Sequence, residues 1–191
     1  MIILSIGESR PKKWKVGAAV IEAVEGLDHT HSFISWKDTR LGIRKVGESR
    51  GGGGRIITNH QFKEENEVVR IFQYKIEEAK LDELEIWMWE NLRPYGFKHN
   101  LGLGIMRLEN LVYKTVDIQK CAKNRFKDGD YSLICVEFSA KALQLALNMD
   151  FAGDTEDYGL REMHEINMNN FRNKLCDLAP IDMIKRINRV G

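Results

Sequence analysis

The sequence predicts an α+β protein in which a central antiparallel sheet packs against helices. Short β-branched and aromatic runs separated by turn residues crowd into the segment that ends at Ile76. From Glu77 onward the apolar spacing changes from two to between three and four residues, the period of an amphipathic helix. The chain of 191 residues, 43% of them hydrophobic, is long enough to enclose one core, and no linker, repeat or low-complexity tail divides it. A single domain over 1–191 is therefore expected.

The elements follow in order. Met1-Ile2-Ile3-Leu4-Ser5-Ile6-Gly7 reads as a buried strand. Ser9-Arg10-Pro11, then Lys12 to Val24 and Gly26, reads as a helix with proline in its first turn and glycine after its last. Strands are expected at His31–Trp36, Gly42–Gly47, Arg55–Asn59 and Glu67–Ile76, forming an antiparallel meander. Leu81, Leu84, Trp87, Met88 and Leu92 then mark one helix face, which Arg93-Pro94-Tyr95-Gly96 ends. Gly102–Val116 is a weaker helix, and Lys127-Asp128-Gly129-Asp130 is a turn leading to the helix that starts near Ile134 and Cys135. A polar loop is expected over 151–158, helical signal over Leu160–Leu178, and a short last helix around Pro180–Ile184.

Charge excludes some partners. Lysine plus arginine (29) nearly equal aspartate plus glutamate (28), so bulk electrostatics favour neither nucleic acid nor an anionic membrane, and Lys12, Lys13 and Lys15 read as a solvated surface. The first residues lack a basic n-region and a full h-region, and no window offers the roughly 18 apolar residues of a membrane-spanning helix. The expected compartment is the cytoplasm, where Cys121, Cys135 and Cys176 stay free thiols. No CxxC pair is present, and His99 and His164 have no partner at ligand spacing, so no metal or other cofactor is expected.

Chemistry points to Cys135. It opens the helical run Ile134 to Leu143, about a hundred residues after the strand-like Thr30-His31-Ser32-Phe33-Ile34. A thiol at a helix N-terminus sits at the positive end of the macrodipole, and a nearby imidazole can take its proton. His29 rivals His31 for that role, while Cys121 and Cys176 lack the helix-start position. The glycines at 51–54 are no phosphate cradle, because Arg55-Ile56-Ile57 leads into a strand and no Gly-Lys-Ser/Thr follows. Trp87, Trp89 and Tyr95 can line a groove or fill the core.

Taken together, these segments resemble the circularly permuted papain-like cysteine hydrolases of the NlpC type, whose relatives include lecithin-retinol acyltransferase-like proteins. Thr30-His31-Ser32-Phe33-Ile34 is similar to the family's "sHvgI" strand, and Val46 to Arg50 with Gly51 to Ile56 resembles its "EA" strand and glycine-rich turn. Tyr131-Ser132-Leu133-Ile134-Cys135-Val136-Glu137-Phe138 resembles the nucleophile helix start "YxCSEL", and Ala179-Pro180-Ile181-Asp182-Met183 the closing "sPxDL". Val136 stands where the family commonly has serine, and Leu133 where an aromatic usually lies.

The resemblance implies a permuted papain-like fold and a reaction that passes through a thioester. Cys135 would be the nucleophile, His31 the general base and Glu48 the third, orienting residue, with Asn59 and His60 as alternatives. Backbone N–H groups at the helix start, helped by Tyr131, would meet the oxyanion. The substrate implied is an amide in a peptide, peptidoglycan or isopeptide. An acyl or lipid group, or a non-catalytic binding role on the same scaffold, are the alternatives.

Overall fold

A computed structural model describes residues 1–13, 16–115, 134–149 and 158–189. Its frame is a six-stranded sheet whose hydrogen-bonded neighbours are all antiparallel. In chain order the described elements are β1 (Ile2–Pro11), α1 (Val16–Glu25), β2 (His31–Lys37), β3 (Arg44–Arg50), β4 (Gly53–Thr58), α2 (Asn59–Glu65), β5 (Asn66–Ile76), α3 (Glu78–Glu90), α4 (Phe97–Thr115), α5 (Cys135–Leu147), α6 (Leu160–Arg172), β6 (Asp177–Leu178) and α7 (Ile181–Arg189).

The sheet order β4-β3-β2-β1-β5-β6 puts β1 at the centre. The meander β2-β3-β4 lies on one side of β1, while β5, the most β-prone run in the sequence, pairs with β1 on the other.

Several boundaries differ from the sequence reading. β1 runs on to Pro11, which lies opposite Asn66, so Ser9–Pro11 is strand rather than a helix cap. Proline is tolerated because it ends the strand, where a missing ladder donor costs little. The third strand starts at Arg44 rather than at Gly42 because residues 38–43 form a turn. In that turn Asp38 Oδ1 accepts the N–H groups of Arg40 and Leu41, and Gly42 adopts φ +69°. The short helix α2 was not foreseen. It starts from a capping box in which Thr58 and Gln61 satisfy each other's backbone N–H groups. The turn at Lys127–Asp130 lies outside the described residues, and so does most of the loop expected over 151–158.

Strand alternation sorts side chains into two cores. On one face Leu4, Ile6, Ile34, Trp36, Phe72 and Tyr74 pack against Leu84 and Met88 of α3 and Phe138 and Leu143 of α5. On the other, Phe33, Val46, Phe62, Val68 and Ile71 form a smaller cluster under α7, whose Met183, Ile184 and Ile187 cover it.

Two glycines permit close layers. A Cβ on Gly7 would lie 2.0 Å from Cζ of Phe33, its cross-strand neighbour. One on Gly47 would lie 2.9 Å from the Met88 sulfur and 3.3 Å from the Phe138 ring. The bare backbone at Gly47 therefore lets α3 and α5 settle onto the sheet, and α5 carries the thiol.

Candidate active site

Cys135 is the first residue of α5, and Ile134 before it has extended backbone at φ −90° and ψ 165°. Glu137, at the third helical position, reaches back to accept the Ile134 N–H at 3.0 Å. The first intrahelical bond runs from the Phe138 N–H to the Ile134 carbonyl at 3.0 Å. By helix geometry the N–H groups of Cys135 and Val136 have no acceptor within the helix.

Helix α5 is fixed against β2 by one buried polar contact. The hydroxyls of Ser32 and Ser139 lie 2.8 Å apart, both buried. Residues four apart share a helix face, so Cys135 lies one turn before Ser139, just as His31 lies one residue before Ser32. This places the first residue of α5 beside the first residue of β2. The Cys135 side chain lies close enough to the His31 imidazole to help raise its pKa.

The other side of the ring is held by Glu48. His31 Nε2 lies 2.5 Å from Glu48 Oε2. A carboxylate can only accept, so Nε2 carries the proton and Nδ1 remains for the thiol. Glu48 is fully buried. Its second oxygen, Oε1, accepts from Arg55 Nε at 2.6 Å and lies 2.5 Å from Arg55 Nη2. Arg55 lies opposite Glu48 in the β3–β4 ladder, and it also pairs with Glu65 Oε2 at 2.7 Å.

The electrostatics follow from this chain of contacts. Burial opposes a charge on His31, but its bonds to Cys135 and Glu48 outweigh that penalty and raise its pKa to about 10. Burial likewise pushes Glu48 up, yet the hydrogen bond and charge of His31, with those of Arg55, bring it down to about 2. Both groups are therefore charged at neutral pH.

The structure brings His31, Glu48 and Cys135 into one constellation and leaves the alternatives out of it. His29 precedes β2 and turns to Asp28, 3.1 Å from its Nδ1. Asn59 opens α2, and His60 is exposed, its Nε2 3.5 Å from Glu64 Oε1. Cys176 is buried elsewhere, with Asn167 as its partner. Tyr131 and Cys121 lie outside the described residues. Arg55 was missed by the sequence reading, although a two-residue turn at Gly51-Gly52 places it opposite Glu48.

Beside the thiol is a cavity of about 350 Å³. Its walls are largely hydrocarbon, from Ile21, Val24, Leu103, Leu108 and Leu160, with Glu25 and Thr30 as polar members. Tyr95 also lines it, whereas Trp87 packs on the core with its ring centroid 5.3 Å from that of Phe138. Trp89 is exposed.

No described helix is long and apolar enough to cross a membrane. Comparison with protein-family models, with curated proteins and with solved structures gives no match.

Proposed function

We propose that the protein is a cysteine hydrolase with a permuted papain-like, NlpC-type arrangement that cleaves an amide bond through a thioester. The observation that carries this reading is the continuous contact from Arg55 through Glu48 and His31 to Cys135. It supplies a nucleophile, a base and an orienting carboxylate in the order that acyl transfer requires.

In this reading His31 enters the step as the imidazolium, having already taken the Cys135 proton, and the sulfur attacks the carbonyl carbon as a thiolate. The oxyanion is met by the backbone N–H groups of Cys135 and Val136 at the start of α5. Collapse of the tetrahedral intermediate breaks the C–N bond, and His31 hands its proton to the departing amine. Water then gives a proton to His31 and its hydroxide to the acyl carbon, the C–S bond breaks, and the acid leaves with the thiolate and the imidazolium restored.

A second reading, transfer or hydrolysis of a lipid-like acyl group, is favoured by the hydrocarbon walls of the cavity at Cys135.

The test is iodoacetamide labelling at pH 6 to 7, followed by peptide mapping. Labelling of Cys135 well ahead of Cys121 and Cys176, and its loss in His31→Ala, is the expected result. Labelling of Cys135 no faster than the other two would turn the reading to a non-catalytic binding module. Acyl-enzyme trapping with short peptide amides against long-chain acyl esters separates the two substrate classes.

A further inference from the structure

We propose that Glu8, His29 and His164 form a binding site for a divalent transition-metal ion of the zinc type, which pins α6 to the centre of the sheet. The site is independent of the reaction proposed for Cys135.

Three distant parts of the chain meet here. Glu8 comes from the central strand β1, beside the register shift between Glu8 and Ser9. His29 comes from the segment that leads into β2, and His164 from α6. One ligand-capable atom from each lies within 4.8 Å of the other two. His164 Nδ1 is 2.7 Å from Glu8 Oε1, and His29 Nδ1 is 3.5 Å from Glu8 Oε2. Glu8 and His29 are buried, and His164 is mostly buried.

Two imidazole nitrogens and one carboxylate oxygen are a donor set that suits zinc, whose bonds to N and O of about 2.0–2.2 Å put tetrahedral ligands roughly 3.4 Å apart. The widest pair therefore has to close by up to about 1.4 Å, a movement within reach of a side-chain rotation of His164. The ion would replace the Nδ1 protons, and each neutral ring would keep its proton on Nε2.

The surroundings supply charge. Asp28 Oδ1 lies 3.1 Å from His29 Nδ1. Arg70 holds both carboxylates, with Nη1 3.0 Å from Glu8 Oε2 and Nη2 2.6 Å from Asp28 Oδ2. It thereby leaves Glu8 Oε1 as the oxygen facing His164. With neutral imidazoles, two carboxylates against one guanidinium leave the cluster a net negative charge, which a cation offsets.

The test uses the full chain, freed of metal by chelator dialysis and titrated with Zn2+ and Co2+ alone. The expected result is one ion per chain, a melting temperature that rises with Zn2+, and a Co2+ spectrum without a thiolate charge-transfer band. Affinity falls by more than about tenfold in His164→Ala and in Glu8→Gln, and is unchanged in His60→Ala. His164→Gln, which keeps a donor toward Glu8, replaces His164→Ala if that variant does not fold. Absence of one-to-one binding, binding undiminished in the folded His164 variant, or a cobalt–thiolate band would each overturn the proposal and leave a purely hydrogen-bonded cluster.

Discussion

Replacing Glu48 by glutamine tests whether the buried carboxylate holds the site together. The substitution keeps the shape but removes the charge that faces His31 at 2.5 Å and Arg55 at 2.5 and 2.6 Å. Arg55 then keeps a partner only in Glu65, at the exposed end of its guanidinium. Breaking one side of a buried ion pair costs about 3–5 kcal/mol. For a chain of this size each kcal/mol is worth about 2–4 °C, so the melting temperature should fall by roughly 6–20 °C. The same loss withdraws the anion that keeps His31 protonated, so its titration midpoint should drop from about 10 by ~1–3 units. Calorimetry reads the first quantity and histidine NMR titration the second. A variant that melts within about 2 °C of wild type and leaves the His31 midpoint unmoved would refute the electrostatic account, since the pair would then be contributing nothing.

Other outcomes follow from the same geometry. The stability gap between wild type and Glu48→Gln depends on pH. The folded pKa of His31 lies above its ordinary 6.5, so that contribution is complete below 6.5 and fades as pH rises through about 10. Glu48 is depressed from 4.5 to about 2, so its share is present above 4.5 and lost as pH falls through about 2. Urea unfolding should therefore show the widest gap between pH 4.5 and 6.5. Ser139→Ala should cost about 1–3 kcal/mol by stranding the buried Ser32 hydroxyl, and adding Ser32→Ala should recover part of it; strictly additive losses in denaturant melts would contradict a direct bond. Gly7→Ala should destabilise by at least about 1–3 kcal/mol, because its methyl would fall inside the Phe33 ring; a variant as stable as wild type would show that the ring moves freely.

Much of the frame was legible because local patterns and tertiary demands agree. The β run of 66–76, the helix from 78 to 90 and the thiol at the head of α5 all follow from spacing that survives in the fold. The pairing of Glu48 with Arg55 was also within reach, since a tight turn at Gly51-Gly52 fixes that register. It was overlooked because the four glycines blur where the turn lies. The end of β1 was misread because Pro11 is equally at home in a helix's first turn and at a strand's last residue. Only the partner strand, with Asn66 opposite, decides between them.

The sequence by itself determined an α+β chain with a thiol at the head of a helix and two histidines at the start of an early strand, because periodicity and helix-start chemistry act over a few residues. It could not choose between His29 and His31, two residues apart and chemically alike. That choice belongs to the folded sheet. The sheet sets Glu48 and the head of α5 against His31, and it turns His29 toward Asp28, Glu8 and α6. Contacts between residues 17 to 156 positions apart are fixed by packing, and no local spacing encodes them.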